Sequence, residues 1–384
     1  MNRFCASDAS IEIMRELERN GHEAVFVGGA VRDYLLGKDA EDIDIATSAS
    51  PYEVRDIFNQ TIDIGIEHGT ILVLVNHEPI EVTTYRSGNT DAEKSLHEDL
   101  LHRDFTINAL ALTRNEKIID LFDGQKDLKS KVIRAVGLPE GRFREDPLRM
   151  IRAVRFASVL DFDIDRSTFE AIQKYAHLLE SVSVERIKVE FDKLLMGKNP
   201  LKGLQLIKKS DLDKVLPAFP SKFSKVRKLI PFQSAKEGWA SLMILGDMPA
   251  SKMSASYKLS NDEKRFLTLI QKAYTIRSRR KFEKAEIYFF ELEILNLTEK
   301  IYCAIVEIDF SDCDFAEMKA NYPIQSKADL RVDGKDLMCW ANARGGRWVG
   351  EWIEKIEYAV LYGHCENHPD TIKEWFINDY NSER

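Results

Sequence analysis

Two short runs within the first fifty residues have the residue types and spacing of phosphoryl chemistry. Gly28-Gly29-Ala30-Val31-Arg32-Asp33 sets two glycines and an arginine just ahead of Asp42-Ile43-Asp44. A glycine turn lets a ligand approach the backbone, and free N–H groups at a helix start favour an anion such as a triphosphate. Arg32 adds a planar donor fork. By itself a Gly-Gly before a helix is plain turn punctuation, and it is the carboxylates that follow which give it chemistry. In Asp42-Ile43-Asp44-Ile45-Ala46 the alternation sends Ile43 and Ile45 toward a core and Asp42 and Asp44 together to the other side. Two carboxylates on one face repel unless a divalent cation neutralises them, and an all-oxygen donor set suits Mg2+. The bland alternative is a solvated strand face without metal. The same alternation gives a third acid, since Glu81 shares a face with Thr83 and Tyr85 opposite Ile80, Val82 and Thr84. Glu81 joins the pair if its strand, linked through a hairpin at Asn76-His77 to the run 70–75, neighbours theirs. Three such groups can hold two ions around the attacking and leaving oxygens of an in-line displacement.

A second constellation reads Glu145-Asp146-Pro147-Leu148-Arg149-Met150-Ile151-Arg152-Ala153-Val154-Arg155-Phe156-Ala157. It predicts one helix with Pro147 in its first turn, where the missing N–H costs nothing. Asp146, Arg149 and Arg152 recur every three residues and share a face, with Arg155 at its edge. An Asp and an Arg at that spacing ordinarily form a surface ion pair of little worth. Three arginines beside one carboxylate leave two cations unpaired, which suggests an anionic ligand. An Asp beside an Arg can also read a base: the Asp accepts from the amino group of cytosine or adenine and the Arg serves the ring acceptors. Uracil mispairs with both, so the site is expected to prefer C and A over U.

The elements that must position these groups follow from pattern. Ala24 to Val27 is a short buried strand feeding a helix from about Ala30 to Gly37. Ser50-Pro51-Tyr52-Glu53 is a capping box with Pro at the first helical position. Strands and turns dominate before residue 140 and helical periodicities after it, including an amphipathic helix over 181–195. The fold class expected is α+β, a small mixed β-sheet head followed by an all-α neck, body and tail. The boundaries are 1–140 for the head, 141–204 for the neck with the base-reading face, 205–300 for a basic body and 301–384 for the tail.

GGAVRD, DIDIAT, HRDFTINA, EDPLRMIRAVRFA and SVERIKVEF, in this order, resemble motifs A to E of bacterial class II tRNA nucleotidyltransferases, whose superfamily also holds bacterial poly(A) polymerases. The resemblance runs across the chain, with weaker support from Gly346 to Trp352 in the tail. It implies that Asp42 and Asp44 bind Mg2+ and that Gly28, Gly29, Arg32 and Arg103 contact the nucleotide's phosphates or sugar. It further implies that Asp146 and Arg149 template the base, with Arg152 and Arg155 as further nucleotide contacts, and that the tail grips the tRNA elbow. Glu185, Arg186 and Glu190 match motif E and read as supports for the neck. Two departures stand out. His102-Arg103 replaces the usual paired arginines, and only residues 87–102 separate Arg86 from Arg103. In this family a longer flexible loop there helps the templating pair switch from CTP to ATP, and a short one resembles the CC-adding subgroup. The expected reaction is therefore addition of cytidines to the tRNA 3' end from CTP, and the sequence leaves open whether a separate enzyme adds the final A. The alternative is complete CCA addition from CTP and ATP; a poly(A) polymerase or a non-catalytic RNA-binding factor fits less well.

Composition agrees with a multi-domain enzyme of the cytosol. The chain has 384 residues, 44% hydrophobic and 31% charged, with no apolar run of membrane-spanning length and no signal-peptide pattern. Five cysteines without a C-x-x-C spacing read as reduced thiols, with neither a zinc site nor a disulfide frame. The net charge of −8 hides an asymmetry, because residues 201–284 carry 19 Lys and Arg against 7 Asp and Glu. Clusters at Lys222 to Lys228 and Arg277 to Lys281 are candidates for following an RNA backbone. The tail tryptophans 340, 348 and 352 are expected to pack rather than stack on RNA.

Overall fold

A computed structural model describes residues 4–40, 42–65, 69–86, 95–310 and 314–382. The chain divides at Phe219/Pro220 into two compact units. The first carries a seven-stranded sheet of β1 (Ala24–Val27), β2 (Asp44–Thr47), β3 (Thr61–Gly65), β4 (Thr70–Val75), β5 (Glu78–Thr84), β6 (Leu110–Leu112) and β7 (Ile118–Asp120). Their spatial order is β3-β4-β5-β2-β1-β6-β7. Only β2 and β5 run parallel among these pairs, so the sheet is mixed as expected.

Local chemistry explains the parts that frame the site. All four residues of β1 are buried, in keeping with a central strand covered on both faces. Val25 and Val27 pack with Ala46, Ala109 and Ala111, while helix Asp8–Arg19 buries Ile13, Met14 and Leu17. The β4–β5 hairpin turns at Asn76 and His77, both at positive φ (52° and 66°), the two-residue geometry that matches strand twist. Ser50 and Glu53 make the reciprocal capping box of helix Pro51–Ile57. The glycine-turn helix runs Gly29–Leu35, one residue earlier at its start and two shorter at its end than expected, because Gly37 already sits at φ 72°.

After the sheet the first unit is mainly helical. Helices Pro139–Glu145, Leu148–Leu160 and Val184–Leu195 follow, the last preceded by a separate 3-10 turn over Ala176–Ser181 rather than starting at 181. Two short strands, β8 (Val132–Ile133) and β9 (Asp163–Ile164), pair in parallel and tie the sheet end of the unit to its helices.

The second unit contains no strand among its described residues. Arg277 is buried there in a two-bond pair with Glu299 (2.5 and 2.7 Å) and lies 3.7 Å from the Tyr302 ring centroid. Arg280 pairs with Glu286 at 2.7 Å. These two members of the expected RNA-facing cluster are thus engaged within the protein, by acids that lie outside their own run of sequence. Trp352 is buried against Phe376 (ring centroids 5.1 Å apart, 88°), with Trp340 and Trp348 packed on the same cluster, so the tail tryptophans are packing residues. Cys303 is buried, Cys365 half-buried, and Cys5 and Cys339 exposed, and Cys313 lies outside the described residues. No helix among the described residues is long and apolar enough to cross a membrane.

Candidate active site

The β2–β5 pairing sets the acidic edge. Asp44 opposes Glu81 in parallel register, so the two side chains emerge on one face of adjacent strands. β2 begins at Asp44, not at Asp42, which lies exposed in the preceding bend. The expected strict alternation through both aspartates therefore covers only the second. Burial pushes the Asp44 carboxyl up to about 6, the charges of Glu81 and Asp42 add to the rise, and the Arg103 guanidinium opposes it. The donors are oxygen only and their charges are insufficiently balanced, which fits a divalent cation. Among the described residues no group of three His, Cys, Asp or Glu is placed to hold a metal ion, so Asp42, Asp44 and Glu81 do not form the ready three-acid cage that the sequence suggested.

Glycine is favoured at position 28 by its backbone, and a side chain there would displace the end of Arg103. The Gly28 φ is 72°, and a Cβ there would meet Arg103 Nη1 at 2.9 Å with Asp44 Oδ2 at 3.9 Å. The turn, the Mg2+ candidate and the motif arginine are thus in contact distance. Arg103 is held by Asp99 (3.0 and 3.2 Å), four residues earlier on the helix Leu96–Leu101. Arg32 donates to Asp33 and, at 2.8 Å, to Asn108 Oδ1, and its guanidinium lies 5.2 Å from the Phe156 ring centroid. A cavity of about 290 Å3 beside this turn is lined by Gly29, Arg32, Lys38 and Asp42.

A second cavity, also about 290 Å3, brings together Arg103, Asp146, Arg149 and Arg152. Arg155 does not line it. The single helix expected over this segment is in fact two: Asp146 closes Pro139–Glu145 in an extended conformation (φ −143°, ψ 100°), and Pro147 caps Leu148–Leu160. The residue before a proline is driven out of the helical region, which breaks the run at Asp146. Asp146 therefore precedes the helical face that carries the arginines.

The expected surplus of unpaired cations is also corrected. Arg149, 7% exposed, donates to Glu145 (2.9 Å) and to the His102 carbonyl (2.9 Å). Arg152 forks onto Asp104 (2.9 and 2.6 Å) and reaches Glu190 at 3.3 Å. Arg155 stands 2.7 Å from Glu190 in an ion pair not aligned as a hydrogen bond, and lies 3.5 Å from the Phe156 ring centroid. Burial pulls the Arg155 guanidinium down to about 10, against the charge of Glu190. Asp104 and Glu190 come from distant elements, so the periodicity of one helix could not reveal them, whereas Glu145 lies only four residues before Arg149 in the same run. Glu190, read as a support, does support, being buried and shared by two arginines.

Asp104 is a residue that sequence reasoning passed over. It is buried, accepts from Arg152, Asn108 and the Phe105 N–H, and links the sheet end of the unit to the arginine helix. Burial alone would raise its carboxyl, but the Arg152 charge and these hydrogen bonds hold it below the usual carboxylate range. Its signal was adjacency to Arg103 in HRDFTINA. Arg86 and Arg186 also line the cavity of Asp146 and Arg149. Of the short 87–102 segment, residues 87–94 lie outside the described residues.

Comparisons with known proteins bear on the family and the fold. The poly(A) polymerase head domain family matches residues 24–134, a "Probable RNA and SrmB-binding site of polymerase A" matches 161–222, and tRNA nucleotidyltransferase domain 2 matches 230–376. A CCA-adding enzyme of Ligilactobacillus salivarius is 40% identical over 386 residues, with 95% of each chain covered. One from Bacillus cereus is 37% identical over 396 residues, with 98% of each covered. The crystal structure of the Bacillus stearothermophilus CCA-adding enzyme in complex with CTP superposes with a TM-score of 0.87 at 34% identity, covering 98% of both chains. Its mixed-sheet head and mainly helical remainder are the fold described above. The chain belongs to the class II CCA-adding tRNA nucleotidyltransferase family, and is an enzyme of nucleotide addition at the tRNA 3' end.

Proposed function

We propose that the protein builds the complete CCA end, joining two cytidines and then an adenosine from CTP and ATP. The names carried by relatives at 36–40% identity over nearly the whole chain favour this over CC addition alone. The observation that carries the chemistry is the Asp44–Glu81 register beside Gly28 and Arg103. Asp42 and Asp44 are the residues that would hold Mg2+, which when bound supplies positive charge against the triphosphate and the departing pyrophosphate. Glu81 adds negative charge at the same edge. The backbone of Gly28 and Gly29, with Arg32 and Arg103, binds the phosphates and sugar. Asp146 and Arg149 read the base, and Arg152 and Arg155, locked by Asp104 and Glu190, fix the helix that presents Arg149. Attack by the tRNA 3'-hydroxyl on the α-phosphate then depends mainly on positioning and electrostatics. In this reading the helical residues beyond the neck hold the tRNA, the 205–300 body through its basic surface and the 301–384 tail at the elbow.

The short spacing between Arg86 and Arg103 favours a second reading, in which addition stops after two cytidines and a partner enzyme supplies the adenosine. One experiment separates them. Purified protein with Mg2+, CTP and ATP is given a tRNA lacking its 3' end, and products are resolved at single-nucleotide length. A completed CCA end supports the first reading; a stop after CC replaces it with the second.

A further inference from the structure

We propose that Arg186 is a specificity-determining positioning residue, which fixes the orientation of the carboxylate that selects the base. The proposal rests on the reading of Asp146 as that carboxylate.

Asp146 lies between two helices in extended backbone, so helical packing does not dictate its side-chain direction. Two contacts do. Oδ1 accepts from the Leu148 N–H at 3.2 Å, and Oδ2 accepts from Arg186 Nη2 at 3.1 Å. An ionised carboxylate offers about four lone-pair sites. With one site on each oxygen committed, its rotation is restrained and the others are left for a ligand. Arg186 and Asp146 line the same cavity as Arg149.

The element carrying Arg186 is itself firmly placed. Helix Val184–Leu195 buries Ile187, Phe191, Leu194 and Leu195, and Glu190, one turn after Arg186, is the acid shared by Arg152 and Arg155. One helix face therefore pins both the arginine helix and the carboxylate preceding it. The Arg186 side chain is 55% exposed, so its ion pair adds little to folding. Its effect falls instead on selection. A carboxylate held in one orientation accepts from the amino group of cytosine or adenine and is mispaired with the carbonyl of uracil; one free to rotate can turn away from that carbonyl and reject it less strongly.

The test measures kcat/KM for CTP and for UTP in single-nucleotide addition to a truncated tRNA, with denaturant melts of the same proteins. Arg186→Ala is expected to lower the CTP-over-UTP ratio roughly tenfold, chiefly through a higher KM for CTP, with an unchanged melting midpoint. Arg186→Lys, which retains a charged donor, is expected to regain part of the ratio. Asp146→Ala is measured alongside and should lower the ratio further. A wild-type ratio in Arg186→Ala with a fallen ratio in Asp146→Ala overturns the role of Arg186 alone. Equal losses for CTP and UTP in Arg186→Ala would also overturn it, reducing the residue to a general support. If Asp146→Ala leaves the ratio unchanged, the underlying base-reading assignment falls as well.

Discussion

The acidic strand edge and the arginine helix, though both in the first unit, handle charge in opposite ways. At the edge, Asp44 sits with Glu81 and Asp42 as like charges, opposed by Arg103, and its carboxyl is pushed up to about 6, first by burial. On the helix, every arginine is matched: Arg149 by Glu145, Arg152 by Asp104 and Glu190, and Arg155 by Glu190. The proposed function has a cation complete the edge, which is left electrostatically incomplete. The helix, internally complete, cannot draw a ligand by surplus charge, and in that proposal its part is that of a rigid support. The difference teaches that arginines at helical spacing in a nucleotide site need not be the groups that attract the nucleotide.

The sharpest way to break this comparison is to remove the acids of the edge. Asp44→Ala or Asp42→Ala should lower nucleotide incorporation by a factor on the order of 10^3 or more while tRNA binding persists. Incorporation by single turnover and tRNA binding by filter retention check this, and sustained turnover in either variant would remove the metal assignment.

On the helix side the main effect should be on stability. Glu190→Ala leaves Arg152 and Arg155 without their shared acid and should cost about 3 kcal/mol, read as a shift in the denaturant midpoint. A shift of a few tenths would mean that water replaces the pair without penalty.

The two regions should also respond to pH with opposite sign. The folded-state value of Asp44 is raised, so the native state holds a proton that the unfolded chain has lost between about pH 4 and 6. Without metal, stability from this group is present below that window and lost as pH rises through it, by at most about 3 kcal/mol, and Asp44→Asn should abolish the loss. Asp104 is lowered, so its contribution is present above about pH 4 and disappears as pH falls through its folded value. The deficit of Asp104→Asn should therefore be seen at neutral pH and close in acid. Melts of both variants against wild type, in chelator, across pH 3 to 8 measure the two slopes; slopes of the same sign would dissolve the contrast.

The smallest effect concerns selection. Arg149→Ala should blur CTP over UTP by roughly tenfold, and an unchanged ratio in competitive incorporation would take it out of the base-reading pair.

Much of the site was legible in sequence because it is local. The glycine turn, the hairpin at Asn76-His77, the capping box at Ser50 and the fully buried β1 are each fixed by backbone chemistry over a few residues. The placement of Glu81 was conditional in the sequence, since alternation fixes a face but not a neighbour. Only the parallel β2–β5 pairing brought it opposite Asp44. The continuous helix expected through Asp146 failed locally, because Pro147 acts on the residue before it as well as on itself.

Sequence by itself determined which residues could do nucleotidyl chemistry, the mixed head followed by helices, and the apolar packing of the tail, because these follow from side-chain type and short-range periodicity. Tertiary structure alone decided how the charges are shared. Asp104 and Arg152 are 48 residues apart, Arg152 and Glu190 are 38 apart, and Asp146 and Arg186 are 40 apart. No repeat along one helix encodes such pairs, and an ion's energy depends on its distance from every neighbour that folding brings near it.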